Sequence, residues 1–348
     1  MLSETLRLRC AGLIVWFRVA ALVAAGLLLP LGQAAETPQD GSIAGLKAKF
    51  VDVKGVKTRY YEMGKGEPML LFSSGTWSGY ASANIWSKNI PGLAKRFHVF
   101  AADALGTGMT GNPLEDKDYN IEGIIEHMYQ FVQTLKLGKV HVVGLTRGGG
   151  DAFFFAVRHP DIVSSLVIVD SVSASPEGST GSRFERTAKC LEQAEFEKEK
   201  CTAEALSLDF AGTYDEEYWA AAKYMGSLPK SQETRAKIKT GVGGPLAYFV
   251  PVAIVGQPQL AGFNEWKKSW IERVKNEGIL QMPVLLFWGF NDPSALVPRG
   301  LELFEVVGAK NPKTQMVIIN KAGHQSAREK PEEFNSSVIH FIEYWESH

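Results

Sequence analysis

VHVVGLTRGGGDAFFF, residues 140–155, decides the reading of this chain. Val140 to Val143, apolar except for His141, read as a strand. Gly144, Thr146, Gly148 and Gly149 then crowd into a tight turn. An apolar segment of helical length follows and stops before Pro160. A strand–turn–helix with G-x-S-x-G at its corner holds a nucleophile on a strained backbone with its oxygen exposed. Here the central position is Thr146. The flanking glycines let strand and helix approach closely, and the helix N-terminus adds positive potential. The backbone N–H of Arg147, next in the chain, would supply half of an oxyanion hole.

Working outward, strands and helices alternate. KFVDVKGVKTRYYEMG reads as a hairpin around Lys54-Gly55, and PMLLFSSG and FHVFAADALG as buried strands. Pro91 divides or bends a helix expected between Ala83 and Arg96. IEGIIEHMYQFVQTLKLG has helical spacing and stops at Gly138, and SSLVIVDS is another strand. After a break the pattern returns with MPVLLFWG, a helix near Gly300, TQMVIIN and a last helix, PEEFNSSVIHFIEYW. This alternation predicts an α/β fold with a mostly parallel sheet flanked by helices. From 173 to 278 charged and aromatic helical segments carry no core strand, which predicts an inserted helical cap. Its aromatics (Phe210, Tyr214, Tyr218, Trp219, Tyr224, Tyr248, Phe249) are expected mainly as the cap's own core, with an apolar pocket as the other reading.

An alcohol nucleophile needs a base, and the base an orienting acid. Of seven histidines, only His324 lies in a loop just beyond a sheet strand, in INKAGHQS. Asp292, in WGFNDPS, stands just beyond another strand; Asp170, at the end of LVIVDS, is the second candidate acid. The order Thr146, Asp292, His324 is nucleophile, acid, base. The second oxyanion donor should come from FSSGTWSG: the N–H of Thr76 first, that of Trp77 next. Trp77 and Arg147 are also candidate substrate contacts, Arg147 for a carboxylate or, equally, for an acid of the cap. GTGMTG, 106–111, matches a dinucleotide fingerprint, but NPLEDKDYN after it cannot open the helix such a site requires, so a plain loop is expected.

SSGTW, DALGTG, GLTRGG, WGFNDPSA and AGHQSAREKPEEF, in this order and spacing, resemble the α/β-hydrolase superfamily over nearly the whole chain after its first segment. Among its capped members the chain is similar to the meta-cleavage-product (carbon–carbon bond) hydrolases and to many esterases. The resemblance implies the α/β-hydrolase fold with a cap. Two departures stand out. Ser74-Gly75 replaces the usual His-Gly of the oxyanion loop, without a further glycine run, and Thr146 replaces serine.

The first segment lies outside this pattern. Arg7, Arg9 and Arg18 precede an apolar run from Val19 to Leu31, and LGQAAET follows. That order is a secretory signal, with cleavage after Ala34 or Ala35. The uninterrupted run is short of the roughly 20 residues of a spanning helix. The expected parts are therefore a signal at 1–35, core at 36–172, cap at 173–278 and core at 279–348, in a periplasmic or secreted protein with no stable membrane association after cleavage. Cys190 and Cys201 remain. On one unbroken helix they would stand about 16 Å apart, whereas a disulfide needs Cα atoms within roughly 7 Å. A bond therefore requires a turn inside LEQAEFEKEK.

With Lys+Arg 37 against Asp+Glu 38 and net charge -1, the 348 residues make no electrostatic case for nucleic acid. No metal motif is present, so neither metal nor cofactor is expected. The partner is a small molecule; oligomeric state is not encoded in any pattern found. The expected function is hydrolysis of an ester or activated carbonyl, or of a carbon–carbon bond, through Thr146, Asp292 and His324. One alternative has His324 acting as base on substrate or water, with Thr146 only hydrogen-bonding. The other is a binding protein with a decayed site.

Overall fold

The computed structural model describes residues 39–73, 77–177, 181–244 and 258–348. The proposed signal, residues 1–35, lies outside them, as do Thr76 and two aromatics of the expected cap, Tyr248 and Phe249. The hairpin forms β1 (Lys49–Val53) and β2 (Val56–Met63). β3 (Pro68–Phe72), β4 (His98–Ala102), β5 (Val140–Leu145), β6 (Val163–Val169), β7 (Val284–Gly289) and β8 (Thr314–Ile319) follow. One sheet runs β1-β2-β4-β3-β5-β6-β7-β8. β2 is antiparallel to both neighbours, and every later pair is parallel. This is the mostly parallel α/β architecture that the alternation implies.

Parallel strands buried on both faces should read as continuous apolar runs. β7 does so, and β5 does apart from His141, with every residue of both strands buried. Their cover comes from α2 (Ile121–Thr134), α3 (Arg147–Arg158), α10 (Val297–Gly308) and α12 (Pro331–Glu346). One face holds Phe153, Phe155, Leu166, Ile168 and Trp288; the other holds Trp86, Val143, Val167, Phe287 and Phe334. The stretch from 83 to 96 is two short pieces, a 3-10 turn at Ala83–Trp86 and α1 at Ile90–Leu93, with Pro91 in the first turn of the second. The ring fixes φ and lacks an N–H, so it starts a helix more readily than it continues one.

Between β6 and β7 lie α4 (Gly181–Thr187), α5 (Glu195–Leu206), α6 (Phe210–Thr213), α7 (Glu216–Ser227), α8 (Pro229–Lys239) and α9 (Pro258–Glu277). No strand occurs there among the described residues. Cys190 and Cys201 are disulfide-bonded, with Cα atoms 5.5 Å apart. The turn this demands falls at 191–194, before α5 begins. Tyr214 and Tyr218 are buried in contact with Phe210 and Trp219, so these aromatics pack on one another as the segment's own core. The GTGMTG segment is a loop: Gly106 and Gly108 have φ of 74 and 49, and no helix opens after it.

Candidate active site

Thr146 stands between β5 and α3 with φ 52 and ψ -116. A β-branched residue at positive φ is strained, at a cost on the order of 1–3 kcal/mol. Close packing holds it there. A Cβ on Gly144 would lie 2.1 Å from the Gly148 carbonyl oxygen, and one on Gly148 would lie 2.7 Å from that of Phe72. Only glycine lets β3, β5 and α3 meet at this corner. The Thr146 N–H donates to the Val169 carbonyl of β6 at 2.8 Å, which fixes the turn to the sheet. Its side chain is half-buried and does not cap α3. Arg147 is the first residue of α3, so its N–H points out of the helix N-terminus beside the threonine.

Asp292 and His324 meet. Nδ1 of His324 lies 2.8 Å from Oδ2 of Asp292, and both side chains are buried. The other carboxylate oxygen, Oδ1, accepts from the N–H groups of Ser294 (2.6 Å) and Ala295 (2.8 Å). The carboxylate is thus held from behind and presents one oxygen to the ring. With Nδ1–H donating to it, Nε2 keeps a free lone pair. Among the described residues no hydrogen bond joins the Thr146 hydroxyl to that ring.

Asp170, the second candidate acid, does not touch His324. Buried and at φ 46, it accepts from the Gly289 N–H (2.8 Å) and from the Ser326 N–H (2.9 Å). Burial, and then the nearby Asp292 charge, hold its carboxyl well above the ordinary range. It latches the end of β6 to the end of β7 and to the residues after His324. Asparagine there keeps one acceptor oxygen but turns an NH2 group toward the remaining N–H. Asp170→Asn is expected to lower unfolding free energy by about 2 kcal/mol, since a buried unsatisfied donor costs roughly 1–3 kcal/mol; urea denaturation measures this.

The loop carrying His324 is also tied to the inserted helices. His324 N–H donates to Leu206 O at 3.1 Å, at the end of α5. Glu329, in α11 (Ser326–Glu329), accepts from Gly323 N–H at 2.8 Å and Leu208 N–H at 3.4 Å. Arg328 is buried beneath α6 and α7. It donates to the carbonyls of Thr213 (2.8 Å), Asn84 (3.1 Å) and Ile85 (3.0 Å), and its guanidinium lies 4.7 Å from the Tyr218 ring.

Two arginines approach the site. Arg183, on α4, donates to Ser294 Oγ beside Asp292. Burial, and then the like charge of Arg147, push it down to about 10. Glu199 on α5 feels both guanidiniums, yet burial keeps its carboxyl raised. Sequence reading missed Arg183, Asp170's latch and Arg328, because contacts between distant segments leave no local spacing. Trp77, a candidate substrate contact, is fully buried at φ 52 with its ring 5.4 Å from Tyr119, in a small apolar cluster with Leu105 and Ile124. The ring therefore serves packing.

A sequence profile of the alpha/beta hydrolase fold matches residues 70–331. The chain belongs to that family. Curated α/β-hydrolase relatives include the 2-hydroxy-6-oxo-6-(2'-aminophenyl)hexa-2,4-dienoic acid hydrolase of Metapseudomonas resinovorans, 36% identical over 39% of this chain and 47% of that one. The 2-hydroxymuconate semialdehyde hydrolase of Pseudomonas sp. (strain CF600) is 32% identical over 35% of this chain and 42% of its own. The α/β-hydrolase chain thus spans about half the length of these relatives. Among solved structures, a meta-cleavage product hydrolase from Pseudomonas fluorescens IP01 superposes with TM-score 0.66 at 23% identity, covering 85% of this chain and 97% of its own. A carboxylesterase from Bacillus subtilis gives 0.62 at 18% identity, covering 85% and 91%. At such identities these two share the fold.

Proposed function

We propose that this chain is an exported hydrolase that cleaves an ester or activated carbonyl, or a carbon–carbon bond next to a carbonyl, in a small carboxylate-bearing molecule. The observations that carry the reading are the Asp292–His324 pair at 2.8 Å, on the loops just beyond β7 and β8, and a threonine held at positive φ at a helix N-terminus just beyond β5 of the same sheet. The Nε2 lone pair of His324 takes the Thr146 hydroxyl proton as Oγ attacks the carbonyl carbon. Asp292 stabilises the resulting imidazolium. The N–H of Arg147 receives the oxyanion, and Thr76, outside the described residues, is the expected second donor. His324 returns the proton to the leaving group, and water, deprotonated by the same nitrogen, releases the acyl group. The helices from 173 to 278 form the cap. Arg147 and Arg183, whose charges act on each other and on Glu199, favour a substrate carboxylate. Export is supported by the basic, apolar and small-residue order of 1–35 and by the disulfide, which persists in oxidising compartments.

A second reading rests on the absence, among the described residues, of a hydrogen bond between Thr146 and His324: His324 activates water or substrate directly, and Thr146 only hydrogen-bonds. A fluorophosphonate separates the two. Nucleophilic attack displaces fluoride and leaves a phosphonyl group on the attacking oxygen. The first reading expects that adduct on Thr146 in the peptide mass spectrum, blocked in His324→Ala. Hydrolysis of a short-chain nitrophenyl ester with no adduct formed would favour the second. Inertness toward esters and vinylogous diketones alike would favour the binding-protein reading.

A further inference from the structure

His141 is the second residue of β5, at the opposite end of the strand from Thr146. Five residues at ~3.3 Å each put it about 16 Å from the proposed chemistry. Its side chain is 4% exposed. Nδ1 lies 2.9 Å from Ser165 Oγ, while Nε2 has no hydrogen-bond partner. That nitrogen faces two carboxylates: Glu67 Oε2, just before β3, and Glu346 Oε1, the last residue of α12, each at 3.8 Å. The three ligand atoms lie within 4.8 Å of one another.

A separation of 3.8 Å is too long for an N–H···O hydrogen bond. It is close to what a shared ion imposes. Two ligands about 2.05 Å from a tetrahedral zinc stand roughly 3.3 Å apart, so modest side-chain movement closes the gap. If Nδ1–H donates to Ser165, the lone pair sits on Nε2, aimed between the carboxylates; such a bond from the second ring nitrogen commonly orients a metal-binding histidine. Arg96 braces the acids, with Nη2 at 2.6 Å from Glu346 Oε2 and 3.3 Å from Glu67 Oε2. The same guanidinium also holds Glu343, its Nε 3.4 Å from Oε1, so three carboxylates and one guanidinium leave a net charge of about −2 to meet a cation. Glu67 and Glu346 are partly exposed, which gives an ion a way in.

We propose that His141, Glu67 and Glu346 form a structural site for a zinc-class divalent ion, with water in the fourth position. One nitrogen and two carboxylate oxygens suit zinc better than the all-oxygen shells of calcium or magnesium. The ion joins the entry of β3 and the start of β5 to the last turn of α12, tying the end of the chain to the middle of the sheet. The ligands are 74 and 205 residues apart in sequence, so no metal motif announces them.

The test uses protein dialysed against a chelator and then titrated with zinc chloride in a calorimeter, with thermal unfolding followed in parallel. One zinc per chain and a midpoint raised by several degrees are expected. His141→Gln and Glu346→Gln should each weaken binding at least about 100-fold. A His340→Ala/His348→Ala control, removing two exposed histidines of the same helix end, should keep it. Glu346 is on the rim, so its variant carries the test even if His141→Gln fails to fold. No binding by the wild type, or binding unchanged in Glu346→Gln, overturns the site.

Discussion

Asparagine in place of Asp292 is expected to lower kcat about 10⁴-fold with little change in thermal stability. The expectation follows from where each carboxylate oxygen points. Oδ1 accepts two backbone N–H groups, from Ser294 and Ala295, and Oδ2 accepts Nδ1–H of His324. An asparagine must turn its NH2 group toward one side or the other. Facing the backbone, it sets donors against two donors; facing the imidazole, it meets a ring that can change tautomer. The second arrangement costs less. It forces Nδ1 to accept, moves the ring proton to Nε2, and removes the lone pair that the Thr146 proton needs. The ester assay measures kcat, and a thermal melt shows that the fold is intact. A loss under 10-fold would make Asp292 a turn former before Pro293 and remove it from the triad.

The second large effect concerns Thr146. Alanine removes the oxygen, and loss of a triad nucleophile costs up to roughly 10⁶-fold in kcat. We expect at least about 10³-fold here, because on the proposed reading the methyl crowds attack in the wild type and the residual oxyanion hole persists. Serine should behave oppositely. It keeps the hydroxyl and removes a methyl that crowds the attacked carbon. It also relieves part of the roughly 1–3 kcal/mol of strain at φ 52. Thr146→Ser is expected to turn over esters at or above the wild-type rate and to unfold slightly later. Should Thr146→Ala retain activity that His324→Ala loses, the threonine is an accessory and the histidine acts on water or substrate.

The fold was largely legible because its signals are local. An apolar strand, a turn with Gly144, Gly148 and Gly149, and an apolar helix are contiguous from 140 to 155, and a Cβ on any of these three glycines would meet another atom at under 3 Å. The pairing of Asp292 with His324 was legible for a related reason: each follows directly on a sheet strand, and neighbouring parallel strands bring their C-terminal ends together. Asp170 was ambiguous because it shares that property. The structure separates the two, giving Asp292 the ring and Asp170 the backbone. Arg183 and Arg328 were invisible because their partners lie more than 100 residues away. The Cys190–Cys201 pairing could be reduced to a condition on the intervening chain, since spacing limits a disulfide but does not make one.

The link between Leu206 and His324 has a thermodynamic consequence. The proposed base takes part of its orientation from the end of the helix that also carries Cys201, and Glu329 reinforces the same joint. Order at the end of α5 and order in the proposed base are then linked through these hydrogen bonds. On the proposed reading, a molecule that binds against α5 and favours the arrangement seen here favours this placement of the imidazole by the same amount, and the coupling is reciprocal. Water alone makes no such contribution. On the proposed reading, selection among substrates can thereby be exercised through how firmly each one holds α5, even where the bond to be broken is the same.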